Sequence, residues 1–133
     1  MEDSDEQRRD EAHRFYRLFT GPDLTRDAFL SDQASDVRGR PLDPAKVKYW
    51  EGFSVFETLV QARRLAAERS ARARTKGFAR PEESIAEMTI SPDSPITYER
   101  SFRSEGHHTV WGDPDECLTR VTGVFPAESR HEG

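Results

Sequence analysis

The stretch from Gly52 to about residue 75 constrains the fold most. Gly52-Phe53-Ser54-Val55-Phe56 is rich in the aromatic and β-branched residues that suit a pleated, half-buried surface. It runs without a break into Glu57-Thr58-Leu59-Val60-Gln61-Ala62-Arg63-Arg64-Leu65-Ala66-Ala67-Glu68-Arg69. Leu59, Ala62, Leu65, Ala66 and Ala73 fall at helical spacing on one side, and arginines occupy the other faces. A strand feeding directly into a helix of this kind needs a sheet for the helix to lie on. The spacing predicts a helix over 57–75, ended by Gly77.

Apolar and charged residues each make up 34% of the 133 residues, so the core is modest and the chain is one domain. The apolar residues fall in patterned segments only from Phe15 onward. Phe15-Tyr16-Arg17-Leu18-Phe19 reads as a strand closed by Thr20-Gly21-Pro22. Residues 23–30 read as a short helix or turn packing Leu24, Phe29 and Leu30. Pro44 suits the first turn of a short helix carrying Val47 and Trp50. Ser84–Ile90 and Ile96–Phe102 alternate apolar and polar residues about the turn 91–95, which predicts an antiparallel pair. Asp113–Glu116 opens a helical turn, and Leu118–Phe125 gives a last strand. The fold class expected is α+β: a mostly antiparallel sheet with one main amphipathic helix packed on it. The domain spans 13–127. Residues 1–12 hold six acids against Arg8 and Arg9, which predicts a frayed, disordered acidic opening. Residues 128–133 form a loose tail.

Charge is unevenly spread. Residues 61–80 hold Arg63, Arg64, Arg69, Arg72, Arg74, Lys76 and Arg80 against Glu68 alone, a local net charge of +6. The whole chain carries −5, so everything else sums to −11. An acidic chain with one basic segment is not a general nucleic-acid binder. That segment also lacks the interleaved aromatics that base stacking needs. It suits a protein partner docking through Arg63, Arg64, Arg69 and Arg72, or a solvated helix face. No secretory signal or membrane-length apolar stretch is visible, and the lone Cys117 suits a reducing cytoplasm. Arginine outnumbers lysine 17 to 3, as in GC-rich bacterial genomes.

Gly106-His107-His108-Thr109-Val110-Trp111-Gly112-Asp113 gathers imidazole, indole and carboxylate between glycines, as a ligand-contacting loop would. Histidine titrates near neutrality, so His107 and His108 are candidate acids or bases. Adjacent histidines on an extended segment point to opposite sides, which argues against both binding one metal ion. Acidic neighbours work against an activated Cys117, which reads as a buried structural residue.

Phe-Tyr-Arg17-Leu, then Gly-Phe-Ser54-Val-Phe before the arginine-studded helix, then a late carboxylate, resembles the layout of the ADP-ribosyltransferase-like fold of the arginine-serine-glutamate class. The Gly106–Asp113 stretch is also similar to one found in small bacterial proteins. The first resemblance implies an NAD or related nucleotide held by Arg17 and Ser54, with Tyr16 or Trp111 stacked on the nicotinamide. Glu99 or Glu116 would then stabilise the positive charge that develops as the glycosidic bond breaks, with Asp113 a further candidate. That role requires Arg17, Ser54 and a late carboxylate to share one cleft. The competing expectation is a non-catalytic interaction or regulatory module with a wide contact surface on the basic segment.

Overall fold

The computed structural model describes residues 12–21, 23–35, 39–77, 83–100 and 106–128. In chain order these form β1 (His13–Thr20), a 3-10 turn (Arg26–Phe29), α1 (Asp32–Ser35) and α2 (Pro44–Trp50). Next come β2 (Phe53–Phe56), α3 (Leu59–Thr75), β3 (Glu83–Ile90) and β4 (Thr97–Arg100), then β5 (His107–Trp111), α4 (Pro114–Thr119) and β6 (Val121–Pro126). The six strands make one sheet in the order β4-β5-β2-β1-β3-β6, and every neighbouring pair is antiparallel. The fold is α+β with one main helix, α3, of 17 residues.

Side chains alternate across each strand, so the sheet has two distinct faces. One is aromatic: Phe15, Phe53, Val55, Met88 and Val110 bury there with Phe29 of the 3-10 turn, Ile96 and Cys117 of α4. The other carries α3. Ala62 and Ala66 let the helix approach closely and bury against Leu18, Ile85 and Ala127, with Tyr16, Phe56, Leu59 and Leu65 around them. The sheet curls over its aromatic face. Tyr98 of edge strand β4 lies 4.9 Å from the Phe15 ring of β1, although β5 and β2 stand between those strands.

Local sequence sets the helix ends. Thr58 accepts a hydrogen bond from the Gln61 backbone N–H, and the Gln61 side chain accepts one from the Thr58 N–H, closing a capping box on α3. Asp43 and Asp113 cap α2 and α4, each followed by proline in the first turn.

Three sequence expectations are corrected. Ser84–Ile90 and Ile96–Phe102 do not pair with each other. β1 takes one edge of β3 along all eight residues and β6 takes the other, so β4 joins the far edge beside β5. Ile96, in the connection between them, is buried in the aromatic core on the way. The His107–Trp111 stretch is not a loop but β5, an inner strand between β4 and β2. Leu118 and Thr119 belong to α4, so the last strand starts at Val121. The acidic segment 1–11, the tail 129–133, Phe78 and Arg80 lie outside the described residues.

Candidate functional site

Arg17 leaves β1 on the aromatic face. Its Nε donates to the Ala28 carbonyl and its Nη1 to the Ser54 carbonyl, each at 2.9 Å. The guanidinium also lies 5.1 Å from the centroid of the Phe53 ring. Burial pushes its pKa down to about 10, and Asp32 partly offsets that shift. These contacts tie β1 to the 3-10 turn and to β2. The Ser54 side chain points to the other face, because its neighbours Phe53 and Val55 are buried on the aromatic one.

The other candidates are also dispersed. Tyr16 is on the helix face, where its hydroxyl donates to Glu87 Oε2 at 2.9 Å. Burial and that hydrogen bond raise the phenol pKa, so the group stays a donor. Trp111 donates from Nε1 to the Lys48 carbonyl at 2.8 Å and fastens α2 to β5. Glu99 pairs with Lys48 at 2.9 Å, which raises the ammonium pKa. Glu116 pairs with Arg120 at 2.6 Å within and just beyond α4. Neither carboxylate is among the groups that contact Arg17. Asp113 is occupied as the α4 cap, accepting from the backbone N–H of Asp115 and Glu116.

β5 sends its two histidines to opposite faces. His107 meets Phe56 edge-on at 5.4 Å on the helix face. His108 lies 5.0 Å from Phe15 on the aromatic face, with its buried Nδ1 3.8 Å from Glu57 Oε1. Among the described residues no cluster of three or more His, Cys, Asp or Glu could hold a metal ion. Cys117 is fully buried, and burial with Asp113 and Glu116 pushes its thiol up to about 12, far from a nucleophile's range. The cleft required by the resemblance, with Arg17, Ser54 and a late carboxylate around one hollow, is not formed by these side chains.

Two surfaces remain. The first is the outward side of α3. The helix carries five arginines and one glutamate. Arg63 Nε donates to the Pro126 carbonyl at 3.3 Å, and Arg69 sits 3.6 Å from Glu83. These two flank the helix and hold it to β3 and β6. Arg64, Arg72 and Arg74 are exposed and make no ion pair among the described residues. At 100° per residue, Val60, Arg64, Ala67, Ala71 and Arg74 point away from the buried Ala62–Ala66 side. Val60 is 65% exposed. The charge pattern of the sequence groups Arg63, Arg64, Arg69 and Arg72 as one docking set. The structure divides them into two that anchor the helix and two that are exposed, Arg64 on the outward side and Arg72 on a flank, and Arg74 joins Arg64 on the outward side.

The second surface is a hollow of about 590 Å³ lined by Ala12, Arg14, Glu87, Thr89 and Thr122. It lies on the helix face beyond the reach of α3. It is not among the sites expected from sequence. The one available signal was Glu87 and Thr89 at the polar positions of an otherwise apolar strand.

No family model, curated protein or solved structure matches the chain. Among the described residues, no helix is long and apolar enough to cross a membrane.

Proposed function

We propose that this protein is a non-catalytic binding module that docks an acidic protein surface through the outward side of α3. One observation carries the reading: Arg64, Arg72 and Arg74 are exposed on a single helix and close no ion pair among the described residues, where Glu68 is the helix's one carboxylate against five arginines. The helix dipole rewards Arg72 and Arg74 in the last turn, but it gives no reason for Arg64. Val60, Ala67 and Ala71 leave a low, partly apolar strip beside the arginines, so a partner can come close enough for bidentate guanidinium–carboxylate contacts. The chain's net charge of −5 disfavours a polyanion as dense as nucleic acid, while a short acidic segment can be met locally within a Debye length.

The test uses dye-labelled octaglutamate and a short DNA duplex in fluorescence anisotropy. Octaglutamate should bind wild type and weaken as salt rises from about 50 to about 300 mM. The R64E/R72E/R74E variant should lose affinity by at least about tenfold. Equal binding by the variant, or tighter binding of the duplex, would overturn the reading.

A further inference from the structure

The hollow on the helix face has features that an idle sheet surface lacks. Glu87 stands on inner strand β3, between β1 and β6, and each of its carboxylate oxygens is held. Tyr16 donates to Oε2 at 2.9 Å and Thr122 donates to Oε1 at 2.8 Å. Thr89 and Thr122 share a further hydrogen bond at 3.0 Å. A carboxylate has about four acceptor sites, so two remain to face outward from a fixed position. The residue opposite Glu87 on β6 is Gly123. A Cβ there would come within 3.8 Å of Glu87 Oε1 and 3.3 Å of the Phe125 ring, so the glycine keeps the approach to the carboxylate open. The pairing between β3 and β6 slips at Glu87/Met88, the same place where Thr122 reaches the carboxylate.

Arg14 stands on the neighbouring strand β1, paired with Thr89 and two residues along from Glu87's partner Tyr16; it is exposed and makes no ion pair with Glu87, although both line the same space. A fixed anion and a separate cation facing one hollow match a ligand with the opposite arrangement. We infer that the Arg14–Glu87 hollow binds a small zwitterion of the α-amino-acid class, its ammonium on Glu87 and its carboxylate on Arg14. The Thr89 and Thr122 hydroxyls bound the space beside the ammonium. This site is separate from α3 and does not depend on the docking reading.

The test is a titration of the ¹⁵N-labelled full chain with an equimolar mixture of the twenty proteinogenic amino acids, to about 10 mM each, a range set by exposed sites of few contacts. Methylammonium chloride and sodium acetate serve as half-ligands. Amide shifts should saturate at Arg14, Glu87, Thr89, Thr122 and Gly123. E87Q and R14Q should each weaken the response at least about tenfold, since each removes a charge-assisted contact. R14Q changes an exposed side chain, so it reports on binding even if E87Q loosens the sheet. The proposal is overturned by an absence of shifts at these residues, by an undiminished response in R14Q, or by acetate alone reproducing the full response.

Discussion

Arg17 donates to the backbone carbonyl of Ser54 at 2.9 Å, while the side chains of the two residues leave the sheet on opposite faces. The closeness along the hydrogen bond and the separation of the functional groups have one origin. Alternation on β2 turns the Ser54 hydroxyl away whenever Phe53 and Val55 fill the aromatic core. The guanidinium therefore works as a strut between β1, β2 and the 3-10 turn.

That role predicts a loss of stability on replacement. Arg17→Met should lower unfolding free energy by about 2–3 kcal/mol, because two part-buried carbonyls lose their donor. Arg17→Lys should recover only part of this, since an ammonium cannot fork to both. Urea unfolding followed by circular dichroism checks the order. An unchanged midpoint for Arg17→Met would assign the side chain some task other than support.

Cys117 predicts an alkaline limb in stability. Its folded pKa is pushed up to about 12 from 9.0, so above pH 9 the unfolded chain releases a proton that the folded one keeps. Stability should fall with rising pH from about 9, approaching about 1.4 kcal/mol per unit. Subtracting the same curve for Cys117→Ala isolates the effect. In native conditions the thiol should also resist iodoacetamide and become reactive only in denaturant.

The α3 cap depends on a residue far away in sequence. Gly106 has φ +81°, and a Cβ on it would strike the Gln61 side-chain amide that completes the capping box with Thr58. Gly106→Ala should therefore cost about 2 kcal/mol from backbone strain and a disturbed cap together, more than the roughly 1 kcal/mol of Thr58→Ala. Thermal unfolding of the two variants side by side gives the comparison. If Thr58→Ala proves the costlier, the Gly106–Gln61 contact does not govern the cap.

Sequence patterns revealed elements better than partners. The passage from Phe53–Phe56 into α3 was legible because its period changes from two to helical within a few residues, and α2 and α4 announced themselves by Asp-Pro caps. Alternation marked Ser84–Ile90 and Ile96–Phe102 as strands, but it carries no information about which edge a strand joins. β3 had two longer partners available, so adjacency in sequence lost. Gly106–Asp113 misled in another way. Its rare residue types suggested a ligand loop, while Thr109-Val110-Trp111 was strand composition in plain sight. The hollow at Glu87 was not legible, because it depends on Thr122 arriving at a register slip between β3 and β6.

Docking of an acidic partner on the arginines of α3 can be read residue by residue. The most direct measurement is the map of backbone amide shifts when unlabelled octaglutamate is added to the ¹⁵N-labelled chain. Shifts are expected along Val60, Arg64, Ala67, Ala71 and Arg74, fading as salt is raised. Shifts absent from α3, or concentrated instead around Arg17 and the aromatic face, would contradict it.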